Sequence, residues 1–201
     1  MQHLIVATRN LHKTREIQRI LGADFAVSDL SAYPETPETG ESGKTFQENA
    51  VLKATAASRQ LRGLVVADDS GLEVDALGGA PGIYSARYAG QKATDKQNID
   101  KLLEELARIE TAKRSARFRC VIALAREGKL LGAFEGVVEG MIVDSPRGTG
   151  GFGYDPIFVP NEFSETFAEL TSETKNKISH RAQAAAALVR HFNTAPRSGE
   201  M

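Results

Sequence analysis

Two adjacent carboxylates, Asp68 and Asp69, follow a short apolar run at residues 64–67 and precede Ser70 and Gly71. Such a strand delivers charge to the rim of a sheet, where ligands of open α/β folds sit. Carboxylates a few ångströms apart either raise a pKa or recruit a cation. With oxygen ligands alone, that cation is Mg²⁺. Asp-Asp-Ser-Gly is also good turn chemistry, so a metal or catalytic site and a capped turn both stay open here. Glu41, just before a helix, could join the aspartates at a metal or remain a solvated loop acid.

Donors lie at both ends of the chain. Thr8, Asn10 and Lys13 occupy a strand, a polar turn and a helix start, an arrangement that binds anions through unpaired N–H groups. Read alone, Lys13 is a solvated helix residue. Lys175, Lys177, His180 and Arg181 concentrate positive charge and donors near the C-terminus. Gly148, Gly150 and Gly153 spell G-x-G-x-x-G, but Pro146 precedes the run and Pro156 and an extended segment follow it. The dinucleotide motif needs a preceding strand and a following helix, so that reading is rejected. The run is a flexible loop presenting Phe152, Tyr154 and Asp155. An exposed ring between glycines offers a stacking platform worth roughly 1–3 kcal/mol per base. The alternative is a hairpin loop with one aromatic tucked into the core.

The elements that position these groups follow from periodicity. Residues 2–7 read as a buried strand, then a helix with Asn10 as N-cap and Ile17, Ile20 and Leu21 on its apolar face. Residues 31–44 form a Pro-, Gly- and Glu-rich loop with Glu35, Glu38 and Glu41 on a negative face. Thr45 and Glu48 signal a capping box, opening a helix to about Arg62 with Phe46, Leu52 and Leu61 apolar. Asn49 and Lys53 share a face of it. Thr94 and Gln97 open another helix, with Ile99, Leu102, Leu103 and Leu106 facing a core. Residues 115–126 and 129–143 read as a long hairpin, which is scaffold and could serve as a dimer surface. His180 and Arg181 start an Ala-rich final helix. Residues 195–201 read as a flexible tail behind a single domain spanning 1–194.

Composition bounds the function. The chain has 201 residues, 41% hydrophobic and 25% charged, which suits one soluble globular domain. A net charge of −1 argues against a dedicated nucleic-acid binder. No apolar run approaches a membrane span, and the N-terminus reads as a strand rather than a signal peptide. The single cysteine, Cys120, is a buried free thiol with no catalytic surroundings, and it suits a reducing cytoplasm. The parts together describe a nucleoside triphosphate site. The P-loop pattern is absent, and Asp68-Asp69-Ser70 lacks the Asp-x-Asp spacing of haloacid-dehalogenase phosphatases.

The sequence resembles the ITPase/Ham1 family, pyrophosphatases of non-standard purine nucleoside triphosphates. The likeness spans nearly the whole chain. It comprises T-x-N-x-x-K (Thr8, Asn10, Lys13), E-N-A-x-x-K-A (48–54), ADDSGLEVDALGGAPGIYSARYAG (67–90), GTGGFGYDPIF (148–158), AEL (168–170) and SHR (179–181). Arg9 stands where the family usually has a small residue, and Ala182 where Gly is common. Arg9 could add a phosphate contact or point to solvent. The resemblance implies a mixed α/β fold, a twisted sheet with helices and two lobes around a central cleft, usually as a homodimer. It implies hydrolysis of ITP, dITP and XTP to the monophosphate and pyrophosphate with Mg²⁺. By position, Asp69 is the implied proton acceptor with Asp68 alongside, and Glu41 and Asp69 are the implied Mg²⁺ ligands. Thr8, Arg9, Asn10, Lys13 and Lys53 would grip phosphates. Ser70, Phe152, Gly153, Tyr154, Asp155, Lys175, His180 and Arg181 would line the nucleotide site. A Maf-like pyrophosphatase and a binding module without turnover are the rival readings.

Overall fold

The N-terminal apolar run forms β1 (Gln2–Val6), and Asn10 caps α1 (Leu11–Leu21) by accepting from the main-chain N–H groups of His12 and Lys13. The computed structural model describes residues 2–37 and 39–194, so the expectations for Glu38 and for the tail at 195–201 lie outside the described residues. The chain continues through β2 (Phe25–Asp29), α2 (Phe46–Ser58), β3 (Leu64–Val74) and α3 (Asp95–Leu106). The hairpin β4 (Ser115–Arg126) and β5 (Lys129–Ile142), then β6 (Phe158–Pro160), α4 (Ser172–Ile178) and α5 (His180–Thr194), complete it. The hairpin turn places Glu127 and Gly128 at φ 53° and 77°, the positive values that a two-residue turn matching strand twist requires.

The six strands form one mixed sheet in the order β2-β1-β3-β4-β5-β6. β1 runs parallel to both neighbours, and the remaining pairs are antiparallel. The β1–β3 pairing ends at Val6 opposite Val66, whereas β3 stays paired with β4 as far as Val74 opposite Ala116. Asp68 and Asp69 therefore lie within β3 and do not end it, contrary to the sequence expectation. Their backbone ladder to Ile122 and Val121 of β4 holds the strand extended past the charges. The rim that presents them is the edge of β3 left open where β1 stops.

Apolar side chains gather in distinct cores. On one sheet face, α1 and α5 pack Ile17, Leu21, Ala184, Ala185 and Leu188 onto Leu4, Val6, Val66 and Ile122. On the other, α2 lays Phe46, Ala50 and Ala54 against Ala67, Val121 and Ala123. Farther along β3–β5, α3 and the returning segment enclose Leu72, Phe118, Ile142, Phe158 and Phe167. The two lobes share one sheet, and the carboxylates sit between them. α2 stops at Ser58 rather than near Arg62; Leu61 is buried beyond the helix, and Leu52 is 39% exposed. The chain has to turn at Gly63, φ 108°, to enter β3. α4 falls where sequence reading placed no helix.

Candidate active site

Strand alternation sends Asp68 and Asp69 to opposite faces of the sheet. Asp68 points toward α1 and α5. One carboxylate oxygen pairs with Lys13 and accepts from Ser70 Oγ at 3.2 Å; the other accepts from Arg181 Nε at 3.1 Å and Cys120 Sγ at 2.9 Å. Burial alone would raise its pKa, but the charges of Arg181 and Lys13 hold it well below the carboxylate range. Cys120 thus lies at the site after all. Its thiol stays protonated, because burial, reinforced by the Asp68 charge, pushes its pKa well up.

Asp69 points toward α2, where Lys53 Nζ lies 2.6 Å from it, 3.1 Å from Glu41 and 3.1 Å from the Asp68 main-chain oxygen. Arg87 closes the chain on the other oxygen of Glu41. Burial raises the Asp69 pKa to about 6, with Lys53 opposing and the Glu41 charge reinforcing. The leading like charge that acts on Asp69 is therefore Glu41, across the loop. Among the described residues no three acids, histidines or cysteines cluster as a ready metal cage. Glu41 and Asp69 nonetheless converge on one cationic point. Two hard oxygen ligands, one of them reluctant to ionise unaided, suit Mg²⁺. This side opens into a groove of about 1160 Å³ lined by Lys44, Tyr84, Arg87 and Arg119.

The loop at 8–13 differs from a free anion nest. Thr8 Oγ1 accepts from the Asn10 N–H at 3.1 Å, and the Asn10 side-chain oxygen occupies the N–H groups of His12 and Lys13 at 2.9 and 3.3 Å. What the loop offers a phosphate is chiefly the Lys13 ammonium, aligned by Asp68. Arg9 lines neither cavity of the site: exposed at the surface, its guanidinium donates to the carbonyl oxygens of Leu30 at 3.1 Å and Thr36 at 2.9 Å.

On the opposite side, a cavity of about 180 Å³ is lined by His12, Glu16, Gly151, Phe152, Phe167 and Lys175. Phe152 is half-buried, with Lys175 Nζ 5.0 Å and Arg181 Cζ 5.7 Å from its ring centre. Asp155 shapes the loop: its carboxylate accepts from the Phe152 N–H at 2.8 Å and Lys175 Nζ at 2.7 Å. Gly151, φ 71°, is obligatory there, because a Cβ would run into that carboxylate. Asp155 is buried and positions Phe152 instead of lining the cleft as expected. Tyr154 turns into the far core and donates to the Ser85 carbonyl at 2.9 Å, so the loop tucks one aromatic away. Gly153 donates its N–H to Asp95 at 2.7 Å.

The C-terminal cations divide. Lys177 is 70% exposed and pairs with Glu173, outside the site. His180 is buried and stacks on Phe118, ring centres 4.8 Å apart. Burial, reinforced by the Arg181 charge, drives its pKa well below the usual value, so it is a neutral donor–acceptor and not part of a cationic cluster. Its Nδ1 has no hydrogen-bond partner among the described residues. Arg181, 1% exposed at its side chain, joins Asp68, Ser70 Oγ at 2.8 Å and Glu16. Glu16, absent from the sequence reading, also holds Lys175 at 2.7 Å. Burial raises its pKa, but Arg181 and Lys175 win and lower it to about 2. A signal existed: on a helix, Glu16 shares a face with Lys13, three residues earlier. Arg87 lies in a stretch singled out from sequence, but no role was read there.

Comparison with known proteins places this geometry among relatives. The model described as the Ham1 family matches residues 4–191. A protein of Shouchella clausii named dITP/XTP pyrophosphatase is 52% identical over 188 residues, spanning 94% of this chain and 95% of its own. The solved Ham1 protein of Coxiella burnetii superposes with a TM-score of 0.86 at 42% identity, covering 97% of this chain and all of that one. The Ham1 protein of Staphylococcus aureus gives 0.85 at 41% identity, with the same coverage.

Proposed function

This chain belongs to the Ham1 family, and from that premise we propose that it is a dITP/XTP pyrophosphatase, hydrolysing dITP, XTP and ITP to the monophosphate and pyrophosphate. The observation that carries the mechanism is the separation of the two aspartates. Asp68 is locked as a permanent anion between Lys13 and Arg181, while Asp69 faces Lys53 with its pKa raised to about 6. Asp69, ionised and facing the open groove side, is suited to take a proton from an attacking water. Attack at the α-phosphorus makes pyrophosphate the leaving group. Lys13 and Lys53 offset the charge that builds on the phosphate oxygens.

Glu41 and Asp69 would hold Mg²⁺, which when bound neutralises phosphate charge and polarises the bond to be cleaved. Phe152 would stack the purine, its loop set by Asp155 and Lys175. Base choice falls to the donors beyond it. His180, at the start of α5 beyond that loop, would supply a donor for the oxygen at C6 of hypoxanthine or xanthine. Adenine would set its amino group against that donor, and such mismatches can reach roughly 10⁴–10⁵ in discrimination. Thr8, Asn10 and Ser70 shape the phosphate side through the contacts already described. Homodimeric assembly and a cytoplasmic setting are part of the same proposal, and the buried thiol of Cys120 suits the latter. No helix among the described residues is long and apolar enough to cross a membrane.

The test is incubation with Mg²⁺ and ITP, XTP, ATP or GTP in parallel, identifying the phosphate released. Pyrophosphate from ITP and XTP, with little from ATP or GTP, is expected. Orthophosphate would move cleavage to the γ position and overturn the mechanism. Bound ITP without release would leave a binding module.

A further inference from the structure

We propose that Arg9 is a positioning residue for Glu41, anchoring the loop that carries it and making no phosphate contact; this rests on the assignment of Glu41 to the divalent cation. Two backbone segments meet at the end of β1. The Leu30 N–H donates to the Thr8 carbonyl at 3.1 Å, and the Arg9 guanidinium returns bonds to the carbonyls of Leu30 and Thr36 at 3.1 and 2.9 Å, with a longer one of 3.4 Å to Pro34. The planar, five-donor guanidinium bridges several carbonyls at once in a fixed fork geometry. Asp29, beside it, accepts from Thr14 Oγ1 and the Ser31 N–H, so the entry to the loop is pinned to α1 as well.

Past Thr36, the next anchor is the Gly43 N–H, which donates to Asn49 on α2 at 2.8 Å. Between those points, the hydrogen bonds among the described residues are those that Glu41 accepts from Lys53 and Arg87. The span carrying Glu41 therefore hangs between two posts, Arg9 and Asn49. Removing the first post leaves Glu41 held from the Gly43 side alone and by the cations that a metal would compete with. Loss of a group that orients a metal ligand weakens metal affinity by roughly tenfold or more.

The experiment compares wild type with Arg9→Met and Arg9→Lys. Hydrogen exchange is followed over residues 35–43 in protein free of nucleotide and metal. Mn²⁺ binding is titrated directly, and the Mg²⁺ needed for half-maximal pyrophosphate release from ITP is measured. Arg9→Met should speed exchange there and weaken Mn²⁺ binding about tenfold. It should raise the Mg²⁺ requirement to match, with kcat at saturating Mg²⁺ within about twofold. Arg9→Lys should restore part of each. Unchanged exchange would overturn the proposal. So would weaker binding of inorganic tripolyphosphate in the absence of metal, with an unchanged Mn²⁺ affinity, which would make Arg9 a phosphate ligand. Exchange and Mn²⁺ binding need no turnover, so they report on Arg9 even if wild type releases no pyrophosphate.

Discussion

At the scale of single residues, the site works by giving chemically identical side chains different surroundings. Asp68 has four donors and stays ionised; Asp69 has one ammonium, shared with Glu41, and a raised pKa. Asp69→Asn should keep the fold and lose about 10²–10⁴ in kcat, read as pyrophosphate release, because it removes the base and one charged partner of Lys53 and of the divalent cation. Phe152→Ala should raise KM by roughly 5–100-fold with a smaller effect on kcat, the loss of one stacking contact. Glu16 sits between Arg181 and Lys175 with its pKa lowered from 4.5 to about 2. A depressed carboxylate contributes stability that is complete above the unfolded value and fades as pH falls through the folded one. Glu16→Gln should therefore cost about 2–3 kcal/mol at pH 7, a drop of several degrees in Tm. The gap to wild type should narrow below pH 4.5 in urea titrations. A gap that stays constant down to pH 3 would show that Glu16 contributes no ionic stabilisation.

At the scale of elements, the decisive contact is α5 lying directly on β5. A Cβ at Gly136 would press on the His180 carbonyl and come within 2.6 Å of the Ala184 nitrogen. Both are backbone atoms and cannot swing aside. Gly136→Ala should push the start of α5 off the sheet, costing on the order of 1–3 kcal/mol in chemical denaturation. Because His180 and Arg181 open that helix, it should also weaken nucleotide binding. A variant with wild-type KM and lower stability would separate helix seating from base recognition. The early end of β1 matters equally. Were it paired as far as Asp68, the edge where Lys53 reaches the Asp68 carbonyl would be covered.

At the scale of the molecule, two lobes share one sheet, and the ionic chain between them binds both together. Asp155 of the glycine loop pairs with Lys175 of α4, Lys175 with Glu16 of α1, Glu16 with Arg181 of α5, and Arg181 with Asp68 of β3. A ligand seated there contacts several elements at once and stabilises the whole fold by mass action. With Asp69→Asn to prevent turnover, ITP at a hundred times its Kd should add about 2.7 kcal/mol, roughly 5–10 °C in Tm. ATP at the same concentration should add much less. Equal shifts from both nucleotides would place base selection in the chemical step instead of in binding.

The sequence by itself determined the chemistry and most of the scaffold. The Asn10 cap, the Thr94–Gln97 capping box and the 115–143 hairpin are local patterns, settled by hydrogen bonds within a few residues. The motif residues Asp68, Asp69, Lys13, Lys53 and Arg181 were legible because their residue types and spacing carry the likeness to a family. Only the tertiary structure decided which groups face one another. It turned Asp68 from Asp69, tucked Tyr154 inward, neutralised His180 by burial, sent Arg9 to the loop at 30–36 and brought in Glu16 and Cys120. Each outcome depends on partners far along the chain: 113 residues separate Asp68 from Arg181, and 52 separate it from Cys120. Burial and pairing set charge state and orientation, and neither can be read from neighbours in sequence.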